Sequence, residues 1–239
     1  MSLDPIAKHY EDSSQRIRFQ SNDAILNDAA RTFFARSHQL QYSYNFSWLG
    51  RPIIQYPQDI IALQEIIYEV KPDLIIETGI AHGGSLVFSA SLLSLIDLMN
   101  GDDHKSSKRK VIGIDIDIRK HNLEAIDTHP LRHKIHLIEG SSIDKNVISD
   151  VHKLAEPYQN ILVCLDSNHT NDHVLAELNA YAELVHKGSY CIVFDTVIED
   201  LPAGSFPDRP WDVGDNPKTA VQSWLKERND FEIDHQIDQ

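Results

Sequence analysis

The chain is poor in several features that define whole classes of protein. Its 239 residues include two cysteines, and no run of apolar residues approaches the ~20 needed to cross a bilayer. The first residues do not form a basic segment followed by an apolar one, as a secretory signal would. We therefore expect a cytoplasmic protein without membrane insertion, in which Cys164 and Cys191 are buried thiols of core strands.

Positive charge is also scarce. The sequence has 22 Lys and Arg against 36 Asp and Glu, which gives a formal net charge of -14. Nucleic acids and anionic membranes are bound by clustered Lys and Arg, so we expect neither as a partner. The basic stretch at residues 104–110 is interpreted as a solvated loop before a strand.

Two short motifs are missing as well. The sequence contains no G-x-G-x-x-G, the glycine pattern that binds dinucleotides, and no His-x-Asp, the pair that typically opens a non-haem iron site. These absences count against a nicotinamide oxidoreductase and against an iron oxygenase.

From residue 58 onward, apolar strands alternate with helical segments. The predicted strands are 73–77, 111–114, 134–138, 160–165 and 189–194, followed by a short one at 231–234. The predicted helices are 58–70, 85–99, 119–128, 143–155, 172–186 and 217–227. This alternation is typical of an α/β protein with a doubly wound, mostly parallel sheet. We expect a single such domain at residues 58–239.

Residues 1–57 lack this alternation and are interpreted as an N-terminal accessory segment. The segment is polar at first and then aromatic, through Tyr42, Tyr44, Phe46, Trp48 and Tyr56. These rings could wall a substrate pocket, contact a neighbouring subunit or simply pack on the core. The aromatic content favours self-association, and we expect a homo-oligomer.

The most informative stretch is the turn between the strand at 73–77 and the next helix. It reads Glu77-Thr-Gly79-Ile-Ala-His82-Gly83-Gly84-Ser85, where glycines allow the backbone to turn and approach a ligand. The free N–H groups at the helix start would face that ligand. Glu77 would repel a pyrophosphate but would attract the cationic S-adenosylmethionine. An ordinary strand-to-helix turn with a solvated Glu77 is the alternative.

Every predicted strand end from the first to the fifth carries an acid. These acids are Glu77, Asp115, Glu139, Asp166 and Asp195. Ligands of doubly wound sheets bind outside these carboxyl ends, so the acids predict a site for hydroxyls and cations. The alternative is that each acid caps a turn or a helix.

Two of these strand ends are expected to bind the nucleoside of the cofactor. Asp115 is placed to accept the ribose hydroxyls, with Asp117 the less favoured choice. Glu139, Ser141 and Ser142 would border the adenine, although Ser141 and Ser142 also suit a helix start.

The last two strand ends could share a divalent cation. Asp166 and Asp195 would hold Mg²⁺, which would orient an acceptor hydroxyl, or both would cap turns. His169 would serve as the general base, because histidine exchanges protons readily near neutral pH. His173 is interpreted as a capping or solvent-exposed residue.

A long loop at residues 196–216 directly follows Asp195. Loops of this length are usually functional or disordered. We interpret it as a lid that contributes Phe206, Arg209 and Trp211 to acceptor binding.

The combined motifs resemble the cephalosporin hydroxylase/rhamnosyl O-methyltransferase family. The resemblance covers the chain from about Phe46 and rests on five blocks: 47–50, 73–85, 112–115, 165–169 and 189–196. It implies a Rossmann-like fold, S-adenosylmethionine at the Glu-Gly turn, and magnesium-assisted methyl transfer to a hydroxyl of a sugar, glycolipid, polysaccharide or small metabolite. Related sugar methyltransferases often carry further acids where this chain has Asn168 and Phe194, which thins the metal site. The family label also suggests an iron-dependent hydroxylase, and a cofactor-binding member without activity is a further alternative.

Overall fold

The computed structural model describes residues 4–238. Within this range, the helices are α1 (Pro5–Ser21), α2 (Ala24–Gln39), α3 (Pro57–Val70), α4 (Gly84–Asn100), α5 (Lys120–Asp127), α6 (Lys145–Ala155), α7 (Asn171–Tyr181), α8 (Pro217–Leu225) and α9 (His235–Asp238). The strands are β1 (Phe46–Trp48), β2 (Arg51–Ile53), β3 (Leu74–Thr78), β4 (Lys110–Asp115), β5 (Ile135–Glu139), β6 (Ile161–Leu165) and β7 (Cys191–Val193).

Strands β3 to β7 form one fully parallel sheet in the order β5-β4-β3-β6-β7. The order reverses between β3 and β6, which places a crevice at their carboxyl ends. This topology confirms the predicted doubly wound α/β fold. Helices α4 to α7 connect these strands, α3 precedes them and α8 follows them, so all six helices predicted from the periodicity are present.

The sheet is covered on both faces because alternate residues of each strand point in opposite directions. In β3, Ile75 packs with the apolar residues of α3 and α4, while Leu74 and Ile76 pack with those of α6, α7 and α8. All five residues of β3 are buried. A strand buried on both faces reads as a continuous apolar run, which explains the sequence at 74–76.

The accessory segment consists of two helices and a hairpin. Helix α1 has no buried residue, whereas the β1–β2 hairpin is fixed to α4. The Trp48 indole packs edge-to-face on Phe88 at 4.8 Å and donates to the Ser91 hydroxyl at 3.0 Å. The hairpin therefore lies directly against the helix that follows the glycine turn.

Three sequence expectations need correction. The predicted strand at 231–234 is wrong: Phe231 packs on the Trp224 ring, and Asp234 accepts a hydrogen bond from Tyr190. The basic stretch is not simply solvated, because Arg109 forms an ion pair with the buried Asp97. The predicted helix at 172–186 ends at Tyr181 and continues as one 3-10 turn.

Both cysteines are free thiols, Cys164 buried and Cys191 half-buried. Among residues 4–238, no helix is both long and apolar enough to cross a membrane.

Candidate active site

The glycine turn, residues 79–83, connects β3 to α4 and is hereafter the donor turn. Its backbone is left-handed at Gly79 (φ +86°), Ala81 (φ +46°) and Gly83 (φ +79°). A Cβ built on Gly79 would lie 2.0 Å from the Asp166 carbonyl oxygen, and one on Gly84 would lie 2.1 Å from the Pro52 carbonyl oxygen. These glycines therefore admit neighbouring protein backbone, where the sequence suggested the approach of a ligand.

Glu77 lies beneath the donor turn and is only 3% exposed, so the solvated alternative does not describe it. Its carboxyl accepts a hydrogen bond from the Ser85 hydroxyl. Burial raises the pKa of Glu77 to about 7, and the Ser85 hydrogen bond opposes that rise. A buried carboxyl that lacks a cationic neighbour among the described residues fits a ligand that brings positive charge of its own.

The start of α4 is also available to a ligand. Gly83 is the N-cap, and no side chain of residues 4–238 caps this helix end. The first-turn N–H groups are therefore free for an anionic group, such as a carboxylate. Together, Glu77 and this helix start suit the ammonium and carboxylate of an amino acid.

Asp115 supports the donor turn from the neighbouring strand. Its Oδ2 accepts the N–H groups of Ile80 (2.8 Å) and Ala81 (3.3 Å), and its Oδ1 accepts that of Asp117 (3.1 Å). A carboxylate has about four acceptor positions, so capacity remains for a ribose hydroxyl. Asp117 itself is exposed.

The residues predicted to border the adenine are only partly at this edge. Glu139 lies beside Asp115 in the sheet register and accepts the N–H of Ile118 at 3.3 Å. Ser142 is buried, and its hydroxyl lies 3.1 Å from His173 Nε2. Ser141 belongs to the turn before α6, whose N-cap is Asp144. Neither serine caps α6, so the helix-start alternative does not describe them, and their place beside the adenine stays a prediction.

The predicted metal residues, Asp166 and Asp195, converge with the predicted base, His169. One ligand atom each from Asp166, His169 and Asp195 lie within 4.8 Å of one another. His169 Nε2 is 3.1 Å from Asp195 Oδ2. Asp195 takes a left-handed backbone (φ +56°), a conformation that Asp tolerates better than most residues. Two carboxylates and one imidazole form a donor set that fits a divalent cation.

The electrostatics of this cluster agree with that fit. Loss of hydration raises the pKa of Asp166 well above its ordinary value, and repulsion from Asp195 and Glu77 adds to the rise. A cation bound there would relieve both effects. The cluster has one histidine and two carboxylates, the inverse of the two-histidine iron site of the oxygenase alternative.

Asn168 and Phe194, the two departures from the family pattern, have structural roles. Asn168 Oδ1 accepts the N–H and the hydroxyl of Thr170 at the start of α7. Phe194 packs against the core, and its N–H bonds to the Leu165 carbonyl at 3.0 Å. Neither side chain is part of the metal cluster found among the described residues.

The loop at 196–216 folds back over the cluster. Trp211 packs edge-to-face on His169 at 4.7 Å, and the Arg209 guanidinium lies 5.3 Å from the Trp211 ring. Phe206 packs on His38 of α2 at 4.3 Å. The Trp211 indole nitrogen is buried and has no hydrogen-bond partner among the described residues. The loop thus places Trp211 beside the metal cluster, with Arg209 and Phe206 near the Trp211 ring.

Four side chains near the site were missed in the sequence. Arg51 and Asn122 contact the donor turn, and Glu177 lies buried behind Ser167, whose hydroxyl it accepts at 2.6 Å. The fourth is Asp59, at the start of α3: its burial and the nearby charge of Asp195 raise its pKa to about 6. The His173–Glu177 spacing of four residues was the one usable signal, since it places both on one helix face. His173 is therefore neither a cap nor solvent-exposed.

Comparison with known proteins adds the family. The family described as rhamnosyl O-methyltransferase/CmcI matches residues 40–239. The chain belongs to this family. The predicted resemblance is confirmed. The chain is an S-adenosylmethionine-dependent O-methyltransferase, as predicted.

Two curated relatives illustrate the match. A rhamnosyl O-methyltransferase of Mycobacterium tuberculosis (strain ATCC 25618/H37Rv) is 30% identical over 219 residues, covering 90% of this chain and 80% of that protein. One from Mycobacterium leprae (strain TN) is 28% identical over 190 residues, covering 79% and 74%.

Two solved structures are similar at a lower level. Apo CalS11, a TDP-rhamnose 3'-O-methyltransferase, is 17% identical, covers 94% of this chain and 88% of that one, and gives a TM-score of 0.48. CmcI D160 with Mg and SAM is 20% identical, covers 64% and 59%, and gives 0.47. Likeness at this level adds nothing to the assignment of individual site residues.

Proposed function

We propose that the protein transfers the methyl group of S-adenosylmethionine to a hydroxyl of a sugar, a rhamnosyl unit in the first instance, with help from a divalent cation. The sugar could be part of a glycolipid, a polysaccharide or a secondary metabolite. The observation that carries the proposal is the contact between the donor turn and the acidic cluster. Gly79 abuts the Asp166 backbone so closely that no side chain fits between them.

The donor half of the site is built from β3, α4 and β4. Glu77 would pair with the ammonium group, and the free N–H groups of α4 would bind the carboxylate. Asp115 holds the donor turn and would accept a ribose hydroxyl. Glu139 stands beside it at the sheet edge.

The acceptor half is built from β6, β7 and the lid loop. Asp166 and Asp195 would hold the cation, magnesium by preference because carboxylate oxygens are its usual protein ligands, and His169 would stand beside it. When bound, such a cation lowers the pKa of an acceptor hydroxyl and fixes its orientation. Trp211, Phe206 and Arg209 would flank the sugar and exclude water.

His169 is the proposed base. A proton taken from the acceptor hydroxyl would be held at Nε2, 3.1 Å from Asp195 Oδ2, whose negative charge stabilises an imidazolium. The remaining contribution is alignment of oxygen, methyl carbon and sulfur, which is worth up to ~7–11 kcal/mol in favourable intramolecular systems.

Two further properties complete the proposal. We propose a cytoplasmic enzyme, which the free thiols Cys164 and Cys191 support, and a homo-oligomer. Self-association is supported by large apolar side chains exposed on α1 and α2, namely Ile6, Tyr10, Phe19 and Ile25. Light scattering during gel filtration tests it, and a monomer at micromolar concentration would contradict it. The domain boundary at residue 57 stays a prediction.

Calorimetry tests the cofactor and the metal together. S-adenosylhomocysteine, NAD and 2-oxoglutarate are titrated in turn, with and without Mg²⁺. Binding of the first alone supports the proposal, and binding of either of the others in its place would reject it. Methylation of a rhamnoside is then followed by mass spectrometry.

Two variants separate the halves of the site. We expect Asp115→Ala to weaken S-adenosylhomocysteine, with the exposed neighbour Asp117→Ala as the matched control. We expect Asp166→Ala to retain that binding and to lose metal-stimulated turnover. Normal metal stimulation in Asp166→Ala would show that the cation binds elsewhere.

A further inference from the structure

The donor turn is held from outside by two side chains that belong to other parts of the chain. Arg51, at the start of β2, donates to the His82 carbonyl from Nε at 2.9 Å and from Nη2 at 2.6 Å. The same Nη2 donates to Asn122 Oδ1 at 2.8 Å. Asn122, buried in α5, donates from Nδ2 to the Ala81 carbonyl at 2.9 Å. Arg51 and Asn122 therefore form a connected pair, here called the brace.

The brace fixes the direction of two consecutive peptide planes. A trans peptide is planar, and its N–H points opposite to its C=O. With the Ala81 carbonyl held by Asn122, the N–H of His82 points away from the brace. With the His82 carbonyl held by Arg51, the N–H of Gly83 reaches the Ile80 carbonyl at 2.7 Å. The brace thus determines which face of the turn presents N–H groups.

The conformation held in this way is one that the local sequence does not favour. Ala81 has φ +46°, a left-handed backbone that residues with a Cβ rarely adopt. Asp115 fixes the N–H of Ala81 from the sheet side, and the brace fixes its carbonyl. A strained residue persists only where its surroundings over-determine it, and such residues cluster at ligand sites.

We propose that Arg51 and Asn122 are positioning residues for the methyl donor: the accessory hairpin and α5 set the geometry of the turn that binds it. The inference rests on the proposed function, because it assumes that this turn holds S-adenosylmethionine. Neither side chain needs to touch the donor. Their effect is to keep the Ala81–His82 peptide preorganised, so that binding does not have to order it.

The test uses full-length variants and three measurements: the Kd of S-adenosylhomocysteine, the KM and kcat for S-adenosylmethionine, and Tm. Arg51→Gln removes the charged donor. Asn122→Asp keeps an acceptor for Arg51 but removes the donor to the Ala81 carbonyl. Arg132→Gln is the matched control, because Arg132, like Arg51, donates both to a side-chain oxygen, Asp127 Oδ1 at 2.6 Å, and to a backbone carbonyl, that of Ile135, away from the turn.

We expect Arg51→Gln and Asn122→Asp each to raise Kd and KM about tenfold, because the first loses a charge-assisted hydrogen bond and the second replaces a donor with a carboxylate that faces the Ala81 carbonyl. The kcat at saturating donor should stay within about threefold of wild type, because a high concentration of S-adenosylmethionine occupies the site in spite of the weaker affinity. Arg51→Lys should lie between, and the double variant should be less than additive. Arg132→Gln should lower Tm without changing Kd.

Wild-type Kd in both Arg51→Gln and Asn122→Asp would overturn the inference while leaving the proposed function intact. A loss of affinity in Arg132→Gln equal to theirs would also overturn it, since the effect would then follow general stability. If Arg51→Gln does not fold, Asn122→Asp and Arg51→Lys decide by the same criteria. Failure of the wild-type protein to bind S-adenosylhomocysteine would reject the proposed function, and this inference with it.

Discussion

Asp97 and Lys134 form a fully buried ion pair whose disruption should cost more stability than any surface change. Asp97 in α4 and Lys134 just before β5 are both 0% exposed, and their charged atoms lie 2.5 Å apart. Asp97 also receives hydrogen bonds from Arg109 at 2.5 Å and from Ser107 at 2.8 Å. We therefore choose Asp97→Asn, which preserves shape and removes the charge.

The expected cost follows from what remains. Arg109 is 19% exposed and can still pair with Asp102, 3.5 Å away, so its loss is small. Among residues 4–238, the Lys134 ammonium has no second carboxylate within ion-pair distance, only the Arg109 carbonyl at 3.5 Å, so it stays buried without a counter-charge. Breaking a buried pair in this way costs ~3–5 kcal/mol. For a chain of this size, that lowers Tm by roughly 6–20 °C.

The pH dependence gives a second check on the same pair. Burial alone raises the pKa of Asp97, but hydrogen bonds from Lys134, Ser107 and Arg109 together hold it below its ordinary value. A lowered pKa contributes stability above the unfolded-state pKa, and that stability is lost as the pH falls through the folded-state pKa. The difference between wild type and Asp97→Asn should therefore be full at neutral pH and shrink in acid.

Urea unfolding followed by circular dichroism measures these differences. Asp150→Asn is the control, since Asp150 pairs with Lys153 on the surface and such pairs contribute ~0–1 kcal/mol. The double change Asp97→Leu with Lys134→Met should recover most of the loss, because no unpaired charge is left. An Asp97→Asn variant as stable as Asp150→Asn at neutral pH would refute the reasoning.

Three further outcomes are expected. Gly79→Ala should abolish binding of S-adenosylhomocysteine, because the added Cβ would lie 2.0 Å from the Asp166 carbonyl oxygen. The control is Gly101→Ala, which has a similar φ of +79° and no atom within 4 Å of the added Cβ, and should only lower Tm. Equal effects of the two changes on binding would contradict this prediction. The pKa of Glu77 is raised to about 7, so its contribution to the stability of the ligand-free protein should be full below the unfolded-state pKa and decline as the pH rises through 7. The affinity for the methyl donor should rise over the same range. A Glu77→Gln variant that kept both trends would reject the assignment. Trp211→Phe should raise the KM of the sugar acceptor with little effect on the Kd of S-adenosylhomocysteine, since the indole packs on His169 on the acceptor side and its nitrogen is buried. Kinetics with varied acceptor concentration measure this KM. An altered Kd with an unchanged KM would place Trp211 in the donor half.

The parallel sheet and its acidic edge could be predicted because they follow from local pattern, whereas the strand order was not predicted. A continuous apolar run such as Leu74–Ile76 indicates a strand buried on both faces, and parallel strands bring their carboxyl ends to one edge. The convergence of Asp166, His169 and Asp195 follows from the same rule. These predictions needed no long-range information beyond the alternation of strand and helix.

Contacts between segments distant in sequence could not be predicted in this way. Arg51 meets His82 and Asn122 only after the hairpin packs on α4, and neither spacing nor composition indicates that contact. The contacts of Ser142 with α7 were not predictable either: its hydroxyl lies 3.1 Å from His173 Nε2, and its carbonyl accepts the Tyr181 hydroxyl at 2.5 Å. The prediction of a strand at 231–234 was wrong because Phe231 packs on the Trp224 ring and not beside a strand of the sheet.

The close packing of the Pro52 carbonyl on Gly84 bears on how this enzyme can be engineered. A chimera that takes its N-terminal segment from a relative would contain that relative's hairpin. Any displacement of the hairpin backbone would change the contact with Gly84, the first residue of α4. The natural crossover lies before Phe46, in the 3-10 turn Tyr42–Asn45, so that the hairpin travels with the catalytic domain. Libraries that vary residues 4–41 while keeping 46–53 should therefore leave methyl-donor affinity unchanged.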